Sequence, residues 1–169
     1  NKISDSLWFL YQNTKEIKAQ DTTQINILLE IANHYGNIKH DSSLILAERA
    51  IQQSEDELYF EGMARAVRLI GFYHHSKSNY DSAVHFFKAS SDLFQEVGDS
   101  IEYASVLNNL AGIYYVQGNY QRALENLLIV IGIQQRYDQT LQLSRALNNM
   151  ALIYKKNNQL FLKHKSKKR

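Results

Sequence analysis

Cysteine is absent from the 169 residues, which excludes disulfides, thiolate nucleophiles and cysteine-ligated zinc. Its absence fits an oxidising or a reducing compartment equally. Proline is absent too, and only 7 glycines occur. Hairpins, sandwiches and collagen-like chains need more turn chemistry than this, so nearly the whole chain is expected to be helical. No apolar run reaches the roughly 18 to 20 residues of a membrane span, and no membrane partner is expected. No signal peptide is visible, but Asn1 is not an initiator methionine. A preceding targeting segment is thus left open, and with it the compartment, cytoplasmic or periplasmic.

Catalytic and metal-binding signatures are lacking as well. No HExxH, no Gly-rich phosphate loop, no G-x-S-x-G elbow and no paired-carboxylate motif occurs. His74 and His75 are neighbours, so on a helix they diverge by about 100° and do not converge on one ion. His74 stands where other copies of the repeat described below carry tyrosine, which assigns it to packing. His34, His40 and His85 stand alone, and Glu55, Asp56 and Glu57 read as a solvated linker run. No catalytic residue, no metal ligand and no cofactor is therefore nominated, and the chain is expected not to be an enzyme.

What is present is ordinary in bulk: 44% hydrophobic, 21% charged, net charge +2. That is enough apolar material for a substantial core. The net charge is unevenly placed. Lys163, Lys165, Lys167, Lys168 and Arg169 supply five of the 19 basic residues with no acid among them, so the preceding body, with all 17 acids, is slightly acidic. A basic tail on an acidic body does not offer the spread of phosphate contacts that a duplex needs. No nucleic-acid partner is expected, and the tail reads as a solvated terminus.

The informative feature is repetition. Leu107-Asn108-Asn109-Leu110-Ala111-Gly112-Ile113-Tyr114 returns forty residues later as Leu147-Asn148-Asn149-Met150-Ala151-Leu152-Ile153-Tyr154. Gly71 and Ala83 lie forty before Ala111 and Ala123, and a weaker copy holds Ile31-Ala32-Asn33-His34-Tyr35. Each copy reads as two helices with apolar residues three and four apart. The small residues Ala32, Gly71, Ala111 and Ala151 admit a neighbouring helix, while Tyr80 and Tyr120 begin second helices. Asp21-Thr22-Thr23-Gln24 and Asp99-Ser100-Ile101-Glu102 have capping-box spacing, and Gly98 suits a left-handed helix end. The expected helices are 3–18, 22–37, 42–54, 58–77, 80–96, 100–117, 120–136 and 140–156. The last unit breaks pattern, since Lys163 falls where Ala123 stood, and it reads equally as a natural cap or a truncated array.

The sequence of leucine, small residue, tyrosine and then alanine resembles the tetratricopeptide repeat (TPR). The line Leu-Asn-Asn-Leu-Ala-x-x-Tyr is similar to the longer repeats of kinesin light chains and of bacterial sensory and regulatory proteins. The period of forty exceeds the usual 34, and the family's closing proline is missing. The resemblance implies an all-α fold, a right-handed superhelix of antiparallel helix pairs known as the TPR α-solenoid. It divides the chain into an N-terminal capping helix in 1–20, a repeat array in 21–156 of three full units and one half, and a basic tail in 157–169.

The resemblance also implies a concave groove lined by the first helix of each unit. Groove positions fall six, three and two residues before the small residue, and one, four and five after it. They select Asn26, Leu29, Glu30, Asn33, Gly36 and Asn37 in the first unit, then Arg65, Arg68, Leu69, Phe72, His75 and Ser76 in the second. The third contributes Ser105, Asn108, Asn109, Gly112, Tyr115 and Val116. The fourth adds Arg145, Asn148, Asn149, Leu152, Lys155 and Lys156. Asparagine both donates and accepts, so it pairs with an extended peptide backbone in either polarity, and arginine offers a fork for carboxylate. Asn109 and Asn149 hold the place of a ligand-contacting asparagine in TPR co-chaperones.

The expected function is protein or peptide binding, as a sensory or scaffolding part of a bacterial signalling or regulatory protein. The expected peptide-binding residues are Arg65, Arg68, Phe72, Asn108, Asn109, Tyr115, Arg145, Asn148 and Asn149. The ligand they suit carries acidic side chains or a free C-terminus. Asparagines inside helices also serve to bond a neighbouring helix, so a structural role stands beside the binding one. The alternative is self-association, a homodimer in which a second copy covers the apolar side of residues 141–154 left by the incomplete last unit.

Overall fold

The computed structural model describes the backbone of residues 2–13, 22–36 and 40–167, and the side chains of 5–13, 22–36 and 41–159. Every described regular element is an α-helix: α1 (Lys2–Asn13), α2 (Thr23–Gly36), α3 (His40–Asp56), α4 (Phe60–Ser76), α5 (Tyr80–Glu96), α6 (Ser100–Val116), α7 (Tyr120–Arg136) and α8 (Thr140–Lys167). They group into two compact units, residues 1–99 and 100–169.

From α3 onward the helices start every twenty residues, and α3 to α7 are each 17 residues long. The turns keep the same step. Leu58, Ser78, Gly98, Gly118 and Asp138 all have positive φ, between 53° and 77°. In each turn the next amide reaches back to the carbonyl five residues earlier, as in Asp99 N–H to Phe94 O (3.0 Å) and Asn119 N–H to Tyr114 O (2.8 Å). This is the hydrogen bond of a left-handed helix cap. Gly98 adopts it without steric cost. Leu58, Ser78 and Asp138 take the same conformation against a penalty of about 1–2 kcal/mol each, because the helices on both sides fix the turn. Asn79 and Asn119, immediately before α5 and α7, accept from the amides of Ser82 and Arg122 and so cap those helices.

In the first unit α3 packs against α2 and α4, α5 packs against α4, and α1 against α2. Leu28, Ile31, Ala47, Ala50 and Ile70 form the centre of its core, with Tyr11 from α1 buried beside them. Small residues set the helix crossings. Ser43 donates to the Ala32 carbonyl at 2.7 Å and Ser90 to the Ala64 carbonyl at 2.8 Å. A Cβ on Gly71 would lie 2.8 Å from the Phe87 ring, so the close approach of α5 to α4 requires the missing side chain.

In the second unit α7 packs between α6 and α8. Both sides of α6 are buried, Val106, Leu110 and Ile113 on one, Leu107, Ala111 and Tyr114 on the other. The Arg122 guanidinium of α7 lies 5.7 Å from the Tyr114 ring centre. Ala123, Leu127 and Val130 bury the inner face of α7, and Ala146 and Ile153 that of α8. Each buried leucine or isoleucine contributes about 1.5–3 kcal/mol.

At the ends, one expectation falls partly outside the described residues and one differs from the structure. The first expected helix ran over 3–18, and α1 is seen over Lys2–Asn13, residues 14–18 lying outside the described residues, as does the expected cap Asp21. At the other end, periodicity predicted a helix ending at 156 and a separate basic tail. Instead α8 continues through Lys167. Asn157-Asn158-Gln159 stands where Gln117-Gly118-Asn119 makes a turn, and here the helix runs straight through that register position.

Candidate functional site

Within each unit some of the expected groove positions line surface depressions. In the first, Leu29, Glu30, Asn33, Arg65, Arg68, Leu69 and Phe72 line one small depression of about 80 Å³. A larger one beside it, about 280 Å³, adds Gly36, Ser43, Tyr73, His75 and Ser76 to Asn33, Leu69 and Phe72. Leu29 and Leu69 are buried and form floor rather than rim. Asn37 lies outside the described residues.

The arginines of this unit already have partners. The Arg65 guanidinium donates to Glu30 Oε1 at 2.9 Å and to Asn26 Oδ1 at 2.8 Å. Tyr59 donates to the same amide oxygen at 3.2 Å. The fork expected to read a ligand's carboxylate thus grips the chain's own acid. Arg68 lies with its guanidinium 5.5 Å from the Phe94 ring centre, a cation–π contact. Phe72 meets Phe87 edge-on at 5.1 Å and remains exposed at the rim.

The second unit is differently furnished. Ile101, Glu102, Ser105, Asn108 and Asn109 of α6, Ile133 and Gln134 of α7, Gln139 of the turn, and Gln142 and Arg145 of α8 surround a depression of about 280 Å³. Gln134 is 8% exposed and its Oε1 has no hydrogen-bond partner. A buried acceptor left unmet costs about 1–3 kcal/mol, unless a ligand or water supplies the donor. Arg145 is exposed and forms no ion pair with a described residue. The mouth of this depression therefore pairs an open cation with an unmet acceptor.

The remaining asparagines divide. Asn149 donates to Asn108 Oδ1 at 3.3 Å and ties α8 to α6, which is the structural use of such residues. Asn109 lines the depression, and Asn148 is exposed on α8. Tyr115 leans on Tyr120 with 5.8 Å between ring centres. With Ala111, Gly112, Leu127, Asn149, Leu152 and Ile153 it lines a smaller cleft of about 100 Å³.

Sequence reading missed Gln134, because the groove count considers only first helices. A signal was present. Gln134 lies forty residues after Phe94, so a polar amide occupies a register position that the preceding unit fills with a buried ring. His74 stacks on Phe86, 5.1 Å apart and 3° from parallel. Among the described residues no group of three or more His, Asp or Glu can hold a metal ion. No helix among them is long and apolar enough to cross a membrane.

Helix hairpins repeated at a fixed step, with a line of polar first-helix residues meeting in surface depressions, define a repeat protein built for contact. The tetratricopeptide-repeat pattern matches residues 62–128 and 102–160, and the chain belongs to that family. Its fold is the all-α TPR solenoid of paired helices, a scaffold for protein interaction. No curated protein sequence matches the chain.

Solved structures share the fold at low identity. Aspartyl phosphate phosphatase F from Bacillus subtilis aligns with TM-score 0.82 and 18% identity over 95% of this chain and 42% of its own. A Rap protein complexed with Competence and Sporulation Factor gives 0.78 and 16% over 90% and 46%. BtubC (BKLC) from P. vanneervenii gives 0.75 and 20% over 91% and 65%. The chain thus spans less than two thirds of each.

Proposed function

We propose that this chain is a non-enzymatic peptide- or protein-binding domain, a sensory or scaffolding part of a bacterial signalling protein. The ligand is an extended segment carrying acidic side chains or a free C-terminus. The observation that carries this reading is the depression between α6, α7 and α8. Arg145 supplies a fork for a carboxylate, Asn108 and Asn109 supply amides for a peptide backbone, and the unmet Gln134 Oε1 awaits an N–H donor.

Asn148, Asn149 and Tyr115 extend the same surface along the second unit. Arg65, Arg68 and Phe72 form the corresponding stretch of the first, where Glu30 competes with a ligand for Arg65. The fold neighbour complexed with Competence and Sporulation Factor supports a binding role for this architecture, although fold alone does not choose the ligand.

The test uses fluorescence anisotropy with a library of labelled acidic peptides, each made with a free and an amidated C-terminus. Arg145→Ala and Asn109→Ala are expected to weaken the best binders about tenfold, or about 1.4 kcal/mol, with helicity and melting temperature nearly unchanged. Affinity that survives both substitutions while stability collapses would sink the assignment.

A further inference from the structure

Gln134 occupies a register position that the other second helices close. Ser54 in α3 and Phe94 in α5 precede it by eighty and forty residues, and each is 0% exposed. Gln134 is 8% exposed and lines the depression between α6, α7 and α8. Its Oε1 is buried without a hydrogen-bond partner.

The chemistry of that amide selects what suits it. Oε1 accepts and Nε2 donates, side by side on one planar group. A carboxylate only accepts, so it leaves Oε1 unmet. An ammonium only donates, so it leaves Nε2 unmet. Either would also take a charge out of water, which costs far more than moving a neutral amide. A second primary carboxamide meets both atoms at once, and still does so when both amides turn over. The terminal torsion of glutamine is broad and roughly two-fold, so Oε1 turns toward the opening at little cost. A peptide main chain carries the same pair of groups, but a side chain reaches a deeply buried amide more readily. The less buried Asn108 and Asn109 suit the main chain.

The walls fit a carboxamide side chain. Ile101 and Ile133 offer apolar surface for its methylenes, and Gln139 and Gln142 bring two further amides for its remaining hydrogen bonds. Gln139 Nε2 is itself held by the Tyr137 carbonyl at 3.4 Å. A volume of about 280 Å³ corresponds to a sphere roughly 8 Å across, the span of about two extended residues. A carboxamide on Gln134 and a carboxylate on Arg145 therefore come from one residue or from near neighbours.

We propose that this depression is a recognition pocket for a glutamine or asparagine side chain, carried by the bound segment beside the carboxylate that Arg145 takes. Gln134 thus sets specificity within the peptide site proposed above, on which this assignment rests.

The probes are labelled acidic peptides in matched sets. Members of a set differ at one position, which is glutamine, asparagine, glutamate or methionine and is walked along the peptide. Against the whole 169-residue chain, fluorescence anisotropy is expected to favour a carboxamide beside an acid about tenfold over glutamate and methionine. Gln134→Met keeps the side chain's length and removes its amide. It should erase that preference and, because an unmet buried acceptor is lost, hold or raise the melting temperature. Arg145→Ala should instead weaken all members of a set alike. Acidic peptides that bind through Arg145 with no carboxamide preference, or with one that survives Gln134→Met, would overturn the pocket and leave the peptide site standing. No binding by any set would overturn both. A clearly lower melting temperature for Gln134→Met would mean an amide already satisfied within the fold. Free glutamine competing as strongly as the peptide would make the amino acid the ligand. Either result also overturns the pocket.

Discussion

Leu107, Ala111 and Tyr114 on α6 are buried, the last under Arg122 of α7, whereas Leu147, Ala151 and Tyr154 on α8 stand exposed. The two sets match in residue type and in register, and the helices that carry them begin forty residues apart. Their different fates come from the next segment of chain. After α6 a glycine turn at Gly118 sends α7 back over the face. After Tyr154, α8 runs on to Lys167. Burial, and so stability, belongs to the pair of helices and not to the repeated residues. The same letters are buried in one helix pair and exposed in the other.

The largest test of this contrast is truncation of the leucine. Leu107→Ala is expected to cost about 2–5 kcal/mol in the denaturant midpoint of the whole chain. Leu147→Ala should stay within about 0.5 kcal/mol. Equal losses would mean that the α8 face is covered in solution.

Enlarging the small residue should separate the pair nearly as well. Ala111→Val overpacks a filled crossing and should cost about 1–3 kcal/mol. Ala151→Val has room, and calorimetry should show only the weak helix-propensity loss of a β-branched residue, under about 0.7 kcal/mol.

The two asparagines of the second line sharpen the comparison further. Asn149→Ala removes the hydrogen bond to Asn108 and should lower stability by about 0.5–1.5 kcal/mol. Asn148→Ala, on an exposed position, should leave the melting curve in place.

The smallest expected effect concerns the arginines that head the second and fourth lines. Arg65→Ala breaks a half-exposed ion pair with Glu30 and should cost about 0.2–1 kcal/mol, reduced by added salt. Arg145→Ala should change stability by less than that, since it removes no ion pair with a described residue.

Much of the fold was legible because it is local and repeated. The forty-residue step, the small residues at Gly71 and Ala111 and the cap at Gly98 each follow from helix periodicity and backbone sterics. The left-handed turns at Leu58, Ser78 and Asp138 were not legible, since none of these residues favours that conformation alone. The site was legible in part. The groove count named Asn108, Asn109 and Arg145, and all three line one depression. It gave no warning that Glu30 would take Arg65, a pairing made between residues thirty-five apart in sequence. It also passed over Gln134, which reaches the site from a second helix.

The sequence by itself determined the all-helical class, the twenty-residue beat of helices and turns, and the family, because each rests on contacts between near neighbours and on a pattern written several times. Tertiary structure alone decided which arginine is engaged, which amide is left unmet, and which copy of the leucine–alanine–tyrosine face is covered. Those outcomes depend on which atoms of distant segments meet, and on whether a returning helix excludes water from a face that its own residues specify only as apolar.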